Sequence, residues 1–213
     1  MEIQHNQADG QPVAKRGRTG VREKADATRP FRCNTLICVL ENPQNIANIG
    51  TVIRNINALG IGKLYIVDSN QVLGGQSWHQ MRSNKRLMET SASAIKWTYC
   101  RKFDTTTECL AYLAKKRVTS MVTSPHMHGK VNIALNEGEY KDRKLAIWFG
   151  NEVRGVSDEV IQAATTCIQI PMFGMIESLN LAVSTGIVMN VIAEKRRANY
   201  LAKHQHKQVQ SHH

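Results

Sequence analysis

Asn48 and Arg54 stand six positions apart in "NIGTVIR" (48–54), Glu152 and Arg154 lie between two glycines in "GNEVRG" (150–155), and Ser178 and Asn180 fall in "ESLNLAV" (177–183). A guanidinium presents a planar, permanently charged fork with five donors and no acceptor, suited to gripping a phosphate or a developing oxyanion. A carboxylate, an amide and a hydroxyl are the groups that hold such a fork, or a sugar hydroxyl, in one orientation. "FGNEVRGVSDEV" (149–160) is not a P-loop, because Val156 occupies the position of the phosphate-binding lysine. Nor does a GxGxxG run follow the first strand-like segment, which argues against an ordinary dinucleotide site.

These residues need elements to position them. "ENPQNIANIGTVIRNINALG" (41–60) reads as a helix capped by Asn45 and closed near Gly60. Its apolar side is Ile46, Ile49, Val52, Ile53, Ile56 and Leu59. Arg54 projects away from that side among Ala47, Gly50 and Ala58, short side chains that leave room for a backbone or a ligand. Strand character appears at 35–40, 63–68, 95–100, 118–123, 145–150 and 166–170. Helical segments fall at 45–59, 77–90, 104–117, 157–164 and 178–200. Strands alternating with helices predict an α/β fold, a mostly parallel sheet flanked by helices. Such sheets place ligands beyond the carboxyl ends of their strands, which is where Glu152 and the 170–180 loop lie.

Twenty-eight Lys and Arg against 17 Asp and Glu give a formal charge of +11, a balance suited to a polyanion such as nucleic acid. Part of the excess lies near the ends, at 14–24 and 194–207, which read as basic arms or frayed termini. The expected organisation is a flexible basic arm at 1–30, one domain at 31–200 and a polar tail at 201–213. The longest apolar stretch, 179–193, is too short and too polar to cross a bilayer. With no secretory h-region at the N-terminus, a cytoplasmic location is expected. Five scattered cysteines without CxxC read as reduced and mostly buried, and eight histidines without HExxH give no metal site. The helix starting near 178 is apolar nearly all round, which predicts packing against the sheet and against a second subunit, hence a homodimer.

Together the three segments resemble the SPOUT superfamily of trefoil-knotted RNA methyltransferases, in its SpoU/TrmH branch. The Asn48–Arg54 spacing matches the first motif, "FGNEVRGVS" with Gly150, Glu152 and Gly155 the second, and "IPMFGMIESLN" with Ile170, Pro171, Met172, Ser178, Leu179 and Asn180 the third. The resemblance covers about residues 32–197. It implies a C-terminal knot that binds S-adenosyl-L-methionine and delivers its methyl to a ribose 2′-hydroxyl of structured RNA, transfer RNA ahead of ribosomal RNA. It implies Arg54, Asn48, Glu152, Ser178 and Asn180 as the catalytic set. Thr123, Gly150, Ile170, Met172 and Leu179 are implied at the cofactor, with Gly150 allowing close backbone approach and Ile170 and Leu179 walling a flat base. It further implies composite sites, Arg54 of one subunit serving the cofactor of the other, and no metal.

Two roles for Arg54 stay open. One is a general base; the other, favoured by a guanidinium pKa above about 12, is a fixed charge on a phosphate and the developing alkoxide. An alternative for the whole chain is a non-catalytic knotted RNA-binding protein, against which the joint presence of all five polar motif residues argues.

Overall fold

The computed structural model describes residues 20–126 and 131–210, those at 21 and 203–210 as backbone alone. The chain divides into two compact units, residues 1–30 and residues 31–213. In the first, a segment expected to be without regular structure carries helix α1 (Gly20–Thr28). The basic positions at 14–19 lie outside the described residues.

The second unit is built on seven parallel strands: β1 (Cys33–Glu41), β2 (Ile61–Val67), β3 (Tyr99–Phe103), β4 (Thr119–Thr123), β5 (Val131–Ala134), β6 (Leu145–Phe149) and β7 (Thr166–Gln169). Their spatial order is β3-β2-β1-β6-β4-β7-β5. Every pairing is parallel, so the sheet is more uniform than expected. Crossovers between parallel strands put helices on both faces and leave the middle strands buried on both. β6, Leu145–Phe149, is buried along its whole length. One face carries Leu36, Cys38, Leu40, Leu64, Ile147 and the apolar side of α2 (Ile46–Ala58). Its opposite carries Ile37, Val39, Tyr65, Trp148 and the helices α5 (Thr106–Lys115) and α6 (Asp158–Ala163). This is the alternation of a strand with period two.

Local chemistry explains where the elements depart from expectation. The helix expected at 77–90 is two helices, α3 (Trp78–Met81) and α4 (Lys85–Thr90). Ser77 and Gln80 form a capping box on the first, and the Asn84 side chain accepts from Leu87 N to start the second, so the polar residues between apolar positions serve as caps. The strand expected at 95–100 begins only at Tyr99, because Ala92 and Ser93 take left-handed backbone conformations (φ 48° and 64°) and a tight turn at 94–96 precedes it. β5, at the far edge of the sheet, is four residues long and was not anticipated.

The last helix, α7 (Leu181–Gln210), begins three residues later and runs further than the 178–200 expected. Its basic run is not a loose arm. Lys195 donates to the carbonyls of Asn136 and Gly138, the latter at 2.8 Å. Arg196 Nη1 donates to the carbonyls of Tyr140 and Asp142 (2.7 and 2.8 Å) and its Nη2 to Thr35 Oγ1 (2.9 Å). Arg197 donates to the carbonyl of Leu59. These three cations bond backbone acceptors far away in the chain, so they help hold the fold together. All five cysteines are free, four of them buried, and burial pushes the Cys109 thiol up to about 12. Among the described residues no helix is long and apolar enough to cross a membrane.

Candidate active site

Three loops leave neighbouring strands at their carboxyl ends and enclose one cavity of about 300 Å³. They follow β4 (from Thr123), β6 (from Gly150) and β7 (from Ile170). Thr123, Gly150, Ile170, Met172 and Leu179, the five positions expected at the cofactor, all line it. Its walls also include Phe149, Val156, Ile168 and Leu181, while Ser178, Glu152 and Arg154 supply polar groups. An apolar chamber with few polar groups at its edge is the usual build of a small-molecule site.

The loop after β6 is a tight turn closed on itself. Asn151 N donates to Gly155 O (2.9 Å) and Gly155 N returns to Asn151 O (3.0 Å). Gly155 has φ +69°. A Cβ at Gly150 would lie 2.0 Å from the Gly155 carbonyl carbon and 2.2 Å from Val156 N. Gly150 lines the cavity, and its missing side chain also lets the two limbs of the turn meet. The Asn151 side chain accepts from Val153 N and Arg154 N and donates to Asn42 O, fastening the turn to the end of β1.

A buried carboxylate that the sequence reading missed holds the far limb. Glu41, 2 % exposed, accepts from Ser157 N (2.8 Å), Ser157 Oγ (2.6 Å) and Thr106 Oγ1 (2.7 Å). Three donors compensate its burial. In the sequence Glu41 ends an apolar strand and looks like a solvated terminus; only the tertiary fold brings Ser157 and Thr106 to it.

Polar motif residues meet at the cavity's mouth. Asn180 Nδ2 donates to Asn48 Oδ1 (3.2 Å), and Asn48 Nδ2 donates to Glu152 Oε1 (2.9 Å). Gln44 N donates to Glu152 Oε2 (2.9 Å). Residues separated by more than a hundred positions thus form one hydrogen-bonded line. Asn180 Oδ1 also accepts from Ala182 N, capping α7, so the line is anchored at both ends. Glu152 faces two spaces: the apolar cavity and, beside it, an open basin of about 640 Å³ that Asn48 and Gln44 also line.

Arg54 is apart from this line. It is exposed on α2, does not line the cavity of its own chain, and has no hydrogen bond or ion pair among the described residues. The space expected beside it is partly filled: a Cβ on Gly50 would lie 1.8 Å from Thr90 Oγ1, so α4 packs against the small residues of α2. Gly50 serves a helix–helix contact.

Residues 35–190 match the model of the SpoU rRNA Methylase family. The chain belongs to that family. Among SpoU relatives, the tRNA (guanosine(18)-2′-O)-methyltransferase of Aquifex aeolicus is 27 % identical over 74 % of this chain and 68 % of its own length. The 23S rRNA (adenosine(1067)-2′-O)-methyltransferase of Streptomyces laurentii is 30 % identical over 72 % of this chain and 52 % of its own. In structure, the A. aeolicus TrmH/SpoU tRNA modifying enzyme superposes with a TM-score of 0.68 at 24 % identity, covering 85 % of this chain and 86 % of that one. The SpoU methyltransferase AviRb of Streptomyces viridochromogenes, solved with AdoMet, gives 0.64 at 19 % identity over 79 % of this chain and 63 % of its own. These superpositions establish the shared α/β fold.

Proposed function

We propose that this SpoU protein is an S-adenosyl-L-methionine-dependent RNA 2′-O-ribose methyltransferase, acting on transfer RNA before ribosomal RNA. The observation that carries the reading is the Asn180–Asn48–Glu152 line, which joins the three motif segments at the mouth of an apolar cavity. The cavity's size and lining suit a nucleoside with a short aliphatic tail: Ile170 and Leu179 supply apolar faces for a flat base, and the strand-end loops offer main-chain groups to its polar edge. When bound, S-adenosylmethionine supplies an electrophilic methyl group on a positively charged sulfonium.

The protein's own part is positioning and charge. Glu152, its two oxygens held by Asn48 and Gln44, is a fixed acceptor that can orient a ribose hydroxyl, with Ser178 and Asn180 beside it. As a charged guanidinium Arg54 has no acceptor atom, so its role is to grip the RNA phosphate and stabilise the negative charge that builds on the ribose oxygen as the hydroxyl passes its proton to solvent water. Since Arg54 lies outside the cavity of its own chain, we assign it to the cavity of a second subunit.

A homodimer is supported by Val183 and Ile187, which lie one turn apart on α7 and remain 50 % and 39 % exposed. The all-round burial expected of this helix is incomplete in one chain, and a partner's surface is the means of completing it. The trefoil knot is part of the same proposal. It is supported by the return of α7 onto α2 and β1 after the 170–180 loop, although chains rarely thread their own loops.

Labelled methyl transfer to bulk transfer RNA and bulk ribosomal RNA, followed by nuclease mapping, tests the reading. Transfer to a single 2′-O-methylated nucleotide is expected. Absence of any transfer, with the cofactor demonstrably bound, would leave a knotted RNA-binding protein.

A further inference from the structure

The basin beside the cavity has two charged residues in its wall, Glu152 and Arg86. They are of opposite sign, yet among the described residues no ion pair joins them, and Glu152 is held instead by Asn48 Nδ2 and Gln44 N at 2.9 Å each. The Arg86 side chain is exposed and makes no hydrogen bond or ion pair among the described residues. Its neighbour Lys85 approaches Glu89 at 4.0 Å, so the one acidic side chain of α4 is engaged elsewhere. Arg86 is therefore a cation whose charge nothing in the described fold uses, at a polar basin that meets the apolar cavity at Glu152.

We infer that Arg86 binds the phosphodiester next to the acceptor ribose, making the basin the subsite for the RNA backbone. The inference rests on the RNA methyltransferase reading and adds a residue to it. An acceptor hydroxyl held at Glu152 must enter from the side opposite the methyl donor, and the donor cavity is the apolar one. The nucleotide therefore reaches Glu152 through the basin. Phosphates flank every ribose, and a guanidinium offers two parallel donors to a phosphate. The polar wall of Gln44, Asn45 and Asn48 suits a sugar–phosphate better than a stacked base. Arg86 and Arg54 then divide the work: Arg86 fastens the backbone before chemistry, and Arg54 meets charge that develops during it.

The test compares wild type, Arg86→Ala and Arg86→Lys, with bulk transfer RNA as the probe at several salt concentrations. Cofactor binding is followed by calorimetry and turnover by labelled methyl transfer. Arg86→Ala should weaken RNA binding by roughly five- to tenfold. It should reduce the slope of log affinity against log salt by about 0.7–0.9, the value for one phosphate contact. Turnover at saturating RNA and cofactor affinity should stay at wild-type levels, and Arg86→Lys should recover the salt slope but only part of the affinity. Equal RNA affinity and salt slope in wild type and Arg86→Ala overturns the inference while leaving the methyltransferase reading intact. A loss confined to turnover or to cofactor affinity overturns it too, because Arg86 would then serve the chemistry or the cavity. A wild-type protein that neither binds nor methylates RNA overturns both. Because Arg86 is exposed, the melting temperature of the variants should match wild type, which separates a binding defect from a folding one.

Discussion

Arg54 and Glu152 differ in how firmly the chain holds them, and that difference predicts how each fails. Glu152 is fixed by two donors before any ligand arrives, whereas Arg54 waits exposed on α2. Replacing Arg54 with alanine should lower turnover by about 10²–10³, the range for removing one donor to a developing oxyanion. Affinity for S-adenosylmethionine, measured by calorimetry, should stay within a factor of two. Arg54→Lys should fail nearly as badly, since one ammonium cannot reproduce a planar fork. A lysine variant with half the wild-type turnover would point to a simple point charge.

At the scale of the element, the loop after β6 depends on atoms that are missing. Gly150→Ala sets a methyl 2.0 Å from the Gly155 carbonyl carbon, which is backbone and cannot swing aside. The turn must open, and the expected penalty is that of overpacking, about 1–3 kcal/mol. The variant should melt at lower temperature and bind S-adenosylmethionine at least tenfold more weakly, because the same turn is a wall of the cavity. Normal cofactor affinity in a correctly folded Gly150→Ala protein would show that the cavity does not need the closed turn. Helix α2 carries a milder test. Asn45 caps it by accepting from Ala47 N at 2.8 Å, so Asn45→Ala should cost about 1 kcal/mol, read from chemical denaturation.

For the whole molecule, the prediction concerns sharing between subunits. Arg54→Ala and a variant unable to hold the cofactor, Leu179→Glu, should each be inactive as homodimers. Mixed under conditions of subunit exchange, verified by mass spectrometry, they should regain up to one working site per heterodimer. A dead mixture of folded, fully exchanged subunits would place Arg54 in the site of its own chain and overturn the composite arrangement.

The candidate site residues were legible in the sequence, because a motif is a matter of residue type and spacing. Asn48, Glu152 and Asn180 could be named before their contacts were known, and the parallel α/β architecture followed from strands alternating with helices. Helix starts were legible where a cap was local, as at Asn45, since such a bond spans only two residues. Long-range partners were not legible. Glu41 looks like a strand end until Ser157 and Thr106 arrive beside it, and Lys195, Arg196 and Arg197 look like a basic tail until backbone carbonyls more than fifty residues away accept from them. The same holds for Gly50 and Gly150: a missing side chain announces that something comes close, and only the packed chain decides whether it is ligand, helix or the other limb of a turn. Hydrophobic periodicity specifies which face of an element is buried, while the identity of the covering surface depends on chain topology, which periodicity does not encode.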